Sequence, residues 1–159
     1  MMSVVQRVLE ARVTVDGRVV GEIGEGMLVL VAVRREDAEP DVAWMAAKLT
    51  GLRIFRDAGG TATFDRSVLD IGGGVLLVSN FTLAADTRKG RRPSLDGAAP
   101  PDRARALFDA LVEAVRAQGA IVATGEFGGD MRVSLVNDGP VTFIVDSRAD
   151  EKRPLAPLS

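Results

Sequence analysis

The chain has 159 residues, 47% hydrophobic and 26% charged, which suits one globular domain with a core of its own. It contains no His, no Cys and no Tyr, which excludes Ser–His–Asp and Cys–His catalysis, disulfides, and zinc sites built on Cys or His. A net charge of −2 argues against a protein that coats DNA or RNA non-specifically, while leaving room for a small site that takes one nucleic-acid end.

The first third of the chain reads as strands. Residues 3–9 and 12–15 are rich in Val with polar alternation, Asp16-Gly17 is a two-residue turn signal, and residues 18–23 form the returning strand. After the turn Gly24-Glu25-Gly26, residues 27–33 are continuously apolar, as in a strand buried on both faces. The period then changes: Val42, Met45, Ala46 and Leu49 recur at helical spacing over residues 41–50, behind Pro40. Residues 52–55 look like a short strand, residues 67–71 like a strand or irregular chain, and residues 75–80 like a strand entered from Gly72-Gly73-Gly74.

Residues 85–100 form a long polar loop, a length that in a compact domain signals function or disorder. A second amphipathic helix follows over residues 101–118, opened by Pro101 and closed by Gly119. Strands at 121–126, 131–137 and 141–145 complete the domain. Residues 146–159, with Pro154 and Pro157 among charges, read as a mobile C-terminal extension. The expected fold class is therefore α+β, with a compact, mainly antiparallel, curved sheet and two flanking helices in a single domain over residues 1–145. No basic start followed by an apolar stretch opens the chain, and the longest apolar run is too short to span a bilayer. The expectation is a cytoplasmic protein with no membrane partner.

Two segments are hard to explain by folding alone. Ser79-Asn80-Phe81-Thr82-Leu83 ends an apolar strand abruptly with two hydroxyls and an amide, at a strand end where free backbone amides are commonly used for binding. The same residues also suit plain strand-end capping. Asn137-Asp138-Gly139-Pro140-Val141-Thr142 puts a Gly-Pro step between two apolar strands; it is a turn signal, and a cis bond there would aim two successive carbonyls the same way. A third segment, residues 87–94, carries Arg88, Lys89, Arg91 and Arg92, which suit either phosphates or a solvated loop. No Gly-rich phosphate-binding fingerprint and no close set of carboxylates occurs, so neither a cofactor nor a metal is expected.

These segments carry a resemblance. Ser79-Asn80-Phe81-Thr82-Leu83 resembles the Ser-Gln-x-Thr-Leu motif of the D-aminoacyl-tRNA deacylase family (D-tyrosyl-tRNA deacylases), and residues 137–142 resemble its Asn-x-Gly-Pro-Val-Thr motif. Val5-Gln6-Arg7-Val8, Arg53-Ile54-Phe55, Arg92-Pro93-Ser94 and Phe127-Gly128-Gly129-Asp130-Met131 are similar to the family in the same order. The resemblance implies a barrel-like fold, a homodimer with a cross-subunit active site, and hydrolysis of the ester between a D-amino acid, or glycine, and the 3′ end of tRNA, as chiral proofreading of translation. It implies that Gly139 and Pro140, joined by a cis bond, enter the partner's site, bind the substrate's α-amino group through their carbonyls, and exclude an L side chain.

It further implies that the 2′-hydroxyl of the terminal adenosine assists hydrolysis, and that the protein supplies position and oxyanion stabilisation. The candidate catalytic residues are then Thr82, Phe81, Ser79 and Asn80, with the amides near Phe81 and Thr82 facing the oxyanion. The candidate substrate-binding residues are Gly139, Pro140, Phe127, Met131 and Arg7, the last bracing the Gly-Pro corner. Asn80 stands where the family usually has Gln, one methylene longer, which motivates an alternative reading: a non-catalytic module of the same fold that holds an aminoacyl-tRNA end without cleaving it. A generic small-molecule esterase is a third reading.

Overall fold

The structure, a computed structural model, describes residues 1–148. Its strands are β1 (Met2–Val15), β2 (Arg18–Ile23), β3 (Gly26–Ala32), β4 (Gly74–Ser79), β5 (Ile121–Thr124) and β6 (Arg132–Asp146), and its helices α1 (Glu39–Gly51), α2 (Val68–Ile71) and α3 (Pro101–Ala117). They form one sheet in the order β2-β1-β3-β4-β5, with β6 paired to β1. Strand β1 pairs antiparallel with β2, β3 and β6, whereas β3–β4 and β4–β5 are parallel. The sheet is therefore mixed, and the expectation of a mainly antiparallel one is met only around β1. The physical reason is the connection: α1 and α3 are crossovers that carry the chain back to start each next strand in the same direction. The ends of the path, β2 and β5, meet so closely that a β-carbon on Gly21 would overlap the Thr124 carbonyl, so the sheet nearly closes into a barrel.

Alternation along β3 and β4 divides the core in two. Val29, Val31, Val75 and Leu77 face α1 and α3, where they bury Met45, Leu49, Phe108 and Leu111. Leu28, Leu76 and Val78 face the other way and pack with Val8, Ala11 and Val13 inside the curve of the barrel. Each such Val, Leu, Met or Phe side chain, when fully buried, contributes about 1.5–3 kcal/mol. The continuous apolar runs in β3 and β4 thus reflect two buried faces.

Several elements differ from the sequence reading. Residues 3–9 and 12–15 are one strand, and so are residues 131–137 and 141–145, because β1 and β6 pair along both halves of each other with two register shifts. Residues 52–55 form no strand, only a single bridge from Phe55 to Arg66. Residues 67–71 become α2: the Ser67 Oγ accepts the Asp70 N–H at 3.2 Å, and the Asp70 carboxylate accepts the Ser67 N–H at 2.8 Å, a reciprocal cap.

Asp146 ends β6 rather than starting a loose tail, and Ser147 and Arg148 are tied into a network around the first residue. The Met1 ammonium donates to Asp37 Oδ1 at 2.5 Å and to Ser147 Oγ at 2.6 Å, and Ser147 Oγ donates to Asp41 at 2.5 Å. Arg34 forks onto Asp146 at 3.0 and 2.5 Å. The rest of the expected extension, residues 149–159, lies outside the described residues.

This network makes stability depend on acid. Burial pushes the Asp146 carboxyl up, but hydrogen bonds from Arg34 and the Arg148 amide outweigh it and hold the group below its ordinary value of 3.8. For Asp41, burial is likewise outweighed, by Ser147, the Ala38 amide, the Met1 ammonium and Arg148. A depressed folded pKa stabilises fully above the unfolded value and is lost as pH falls through the folded one. The urea midpoint is expected to be level between about pH 5 and 7 and to fall below about pH 4, with Asp146→Asn flattening that fall. An acid fall of native size in Asp146→Asn would count against this assignment.

Candidate active site

The first candidate segment sits where β4 ends. Asn80 N–H donates to the Val31 carbonyl at 2.7 Å, which extends the β3–β4 ladder by one residue. The chain then tightens into a 3₁₀ turn, Phe81–Ala84, closed by Leu83 N–H to Asn80 O at 3.3 Å and Ala85 N–H to Thr82 O at 3.1 Å. The first amides of a helical turn have no partner within it. Among the described residues neither the Phe81 nor the Thr82 N–H has an acceptor. The Thr82 hydroxyl donates to Asn80 Oδ1 at 2.5 Å. An amide oxygen orients a hydroxyl but does not deprotonate it.

This turn forms one wall of an open cavity of about 580 Å³, a size that suits a small-molecule or nucleotide-end ligand. Ser79, Asn80, Phe81 and Thr82 meet Phe127 and Met131 there, so six of the nine candidate residues share one site. The lining is mostly apolar, and among the described residues it contains one ionisable side chain, Asp130. Phe127 is fixed from two sides. Its ring lies 6.1 Å from that of Phe108, and the Arg105 guanidinium sits 4.6 Å over it while donating to the Phe127 carbonyl at 3.2 Å.

Arg7, Gly139 and Pro140 do not line this cavity; they form a second cluster. Gln6 pairs with Thr142 and Val8 with Asn137, so Arg7 alone on β1 stands opposite residues 138–141 on β6. Those four residues bulge out of the sheet. The bulge is held at its base by Asn137, whose Oδ1 accepts the Val141 N–H at 2.8 Å and whose Nδ2 donates to the Val141 carbonyl at 3.1 Å. Arg7, buried, holds it from within: Nε donates to the Asp138 carbonyl at 3.1 Å and lies 2.9 Å from Asp138 Oδ2, while Nη1 donates to Ile54 O at 2.7 Å and Thr63 O at 3.2 Å. Gly139 and Pro140, joined by a cis peptide bond, are exposed at the tip. Gly139 has φ +149°, and a β-carbon there would come within 2.5 Å of the Val141 amide nitrogen, so this position requires glycine.

The sequence reading assigned no role to Gln6, Asn137, Asp138 or Arg105. Gln6 lines the cavity and donates to Thr142 Oγ1 at 3.3 Å, bridging the two clusters across β1 and β6. Its signal was strand alternation next to Arg7: one side chain turns to the cavity and the next to the bulge. Arg105 carried no signal beyond its place on the polar flank of α3.

A family model described as D-Tyr-tRNA(Tyr) deacylase matches residues 4–146. The chain is 54% identical over 149 residues to a D-aminoacyl-tRNA deacylase of Geobacter sulfurreducens, covering 94% of this chain and 97% of that one. It is 55% identical over 146 residues to a D-aminoacyl-tRNA deacylase of Pelobacter propionicus, covering 92% and 99%. Among solved structures, it resembles the c-Myc DNA Unwinding Element Binding Protein with a TM-score of 0.88 at 36% identity, over 92% of this chain and 98% of that one. A chain described as a probable eukaryotic D-amino acid tRNA deacylase shares the fold, with a TM-score of 0.77 at 19% identity over 91% of this chain and 97% of that one. With two motifs at two built clusters and more than half of the residues shared along nearly the whole length, the chain belongs to the D-aminoacyl-tRNA deacylase family of hydrolases.

Proposed function

We propose that this protein hydrolyses the ester joining a D-amino acid, or glycine, to the 3′ end of tRNA, and that it does so in the cytoplasm as chiral proofreading of translation. The observation that carries the reading is a cavity that gathers the Ser79–Thr82 turn with Phe127 and Met131, and in which the Thr82 hydroxyl is held by the Asn80 amide oxygen and, among the described residues, hydrogen-bonds to no carboxylate. An aminoacyl ester is already activated, so such a site needs to position it and to stabilise the oxyanion as water adds to the carbonyl. The Phe81 and Thr82 N–H groups are the donors for that oxyanion, with Ser79 and Asn80 holding the turn. The 2′-hydroxyl of the terminal adenosine takes part in proton transfer, and Phe127 and Met131 line the adenosine subsite.

Handedness is read by a second copy of the chain. Gly139 and Pro140 are exposed on a bulge outside their own cavity, and β6, an outer strand, turns Val133, Val136, Phe143 and Ile144 toward solvent. An exposed apolar edge of this kind is covered in stable proteins, and a homodimer covers it. In that dimer the bulge of one chain enters the cavity of the other, its carbonyls accept the substrate ammonium, and its backbone leaves no room for an L side chain. Glycine, which has no side chain, passes.

The test is release of free amino acid from D-tyrosyl-, L-tyrosyl- and glycyl-tRNA. The D and glycyl esters are expected to be cleared and the L ester spared; saturable binding of all three without turnover would instead establish a non-catalytic module. Thr82→Ala separates a placed hydroxyl from a nucleophile. Its kcat is expected to fall about 10- to 100-fold, against about 10⁶-fold when a true nucleophile is lost. Turnover reduced to the uncatalysed rate would overturn the assignment of Thr82 as a positioning group.

A further inference from the structure

We propose that the loop between Asp86 and Ser94 is a docking surface for the sugar–phosphate backbone of the tRNA acceptor end, through Lys89, Arg91 and Arg92. The inference rests on the deacylase reading and extends it from the terminal nucleotide to the strand behind it. The loop is a built feature. Its neck is pinned by Asp86 N–H to Ser94 O at 2.8 Å and Ser94 N–H to Asp86 O at 2.9 Å.

Both legs of the neck are anchored beside the cavity. The outgoing leg continues the turn that carries Thr82, through Ala85 N–H to Thr82 O at 3.1 Å. The return leg is held by Arg35 N–H to Gly97 O at 3.0 Å and Ala99 N–H to the carbonyl of Val33, a lining residue, at 3.0 Å. Gly97 lies against the Ala84 carbonyl, so the two legs pack on each other. Lys89 lies seven positions after Thr82 along the chain, a reach of at most about 25 Å.

Charge selects the occupant. Four cations stand between Asp86 and Asp96 with no acid among them. Arg88 is spent on the neck itself: its Nε and Nη2 donate to the Asp86 carboxylate at 2.9 and 2.6 Å. That contact holds the Asp86 carboxyl far below the usual carboxylate range. Lys89, Arg91 and Arg92 are exposed, and among the described residues none of them makes an ion pair. The chain as a whole is slightly acidic, at −2, so its net field does not draw a polyanion; attraction has to come from a local patch. Three unpaired cations on a pinned neck whose legs join the Thr82 turn and Val33 form such a patch, and their partners are phosphates rather than bases.

The test compares the native protein with Lys89→Ala/Arg91→Ala/Arg92→Ala in two assays. Affinity for uncharged tRNA, titrated against salt, is expected to fall at least tenfold at about 0.1 M salt. Its log–log slope should shrink by about 2 to 3, since each phosphate contact contributes roughly 0.7–0.9. Hydrolysis of a D-aminoacyl adenosine, which has no phosphate, is expected to keep its native kcat/KM, while kcat/KM on the D-aminoacyl-tRNA falls. The charge-preserving Lys89→Arg/Arg91→Lys/Arg92→Lys variant should restore the salt slope. An unchanged slope in the alanine variant, or equal losses on the tRNA and the adenosine ester, would overturn the proposal. If the native protein cleaved neither ester, the deacylase reading would fail, and the tRNA salt titration would still decide the role of the loop.

Discussion

Arg7→Ala is expected to lower kcat/KM on a D-aminoacyl-tRNA by about 100-fold, to erode the preference for D over L esters, and to cost about 3 kcal/mol of stability. The Arg7 side chain is 2% exposed and joins three parts of the chain at once: β1, the segment containing Ile54 and Thr63, and the bulge at Asp138. Alanine removes the one β1 side chain that stands opposite residues 138–141 and leaves Asp138 without its nearest cation, with Arg56 at 3.9 Å remaining. Each buried carbonyl that loses its donor adds about 1–3 kcal/mol.

The rate loss follows from geometry, because a displacement of about 1 Å in a positioning element costs about 100-fold. Lysine in the same place keeps the charge but not the fork, so Arg7→Lys should recover part of the stability and little of the D/L ratio. Denaturant unfolding measures the first effect and paired D and L substrates the second. A variant that is less stable yet retains the native D/L ratio would show that the bulge does not read handedness.

Asp37→Ala is expected to cost about 3–5 kcal/mol, a large part of the 5–15 kcal/mol that holds a typical domain folded. The Asp37 carboxylate is fully buried and collects three donors: the Met1 ammonium at 2.5 Å, the Arg34 N–H at 2.6 Å and Arg148 Nη2 at 3.1 Å. Its backbone carbonyl accepts a fourth, from Arg103 Nη2 at 2.8 Å. Without the carboxylate, the Met1 ammonium is left fully buried and short of its closest counter-charge. Asp37→Asn keeps the shape but not the charge and should cost nearly as much. At about 2–4 °C per kcal/mol for a chain of this size, melting should drop by about 10 °C, while activity well below that temperature persists because Asp37 lies outside the cavity. A native melting temperature in either variant would mean that the network around Met1 contributes little.

Much of the local structure was legible because local rules governed it. Asp16 and Gly17 form the predicted turn with φ of 50° and 75°, the left-handed pair that joins two strands tightly. The helical spacing of Val42, Met45, Ala46 and Leu49 marks buried positions of α1; of the apolar face Ala104, Leu107, Phe108, Leu111 and Val115 expected for the second helix, all are buried in α3 except Leu107, which is partly buried against the same core. The cap Ser67–Asp70 is also readable, as a Ser followed three residues later by Asp, although the segment looks like a strand or irregular chain on its sequence alone.

The parallel pairings were not legible, because apolar runs mark burial without giving direction. The unity of β1 and of β6 was hidden for a related reason. Exposed Leu9 and the residues around Gly139 break the alternation, and only pairing across the sheet carries the strands through those breaks.

Taken alone, the sequence determined the chemical means at hand: no imidazole, thiol or phenol, a hydroxyl-bearing turn at the end of an apolar strand, and a Gly-Pro step. Tertiary structure decided where these means stand. It put Ser79–Thr82, Phe127 and Met131 around one cavity and sent Gly139 and Pro140 outward on a bulge opposite Arg7. Composition and spacing do not carry that difference. The side-chain period of a strand is two, so a single-residue change in register moves a group from one face to the other, and register is set by pairing between distant segments.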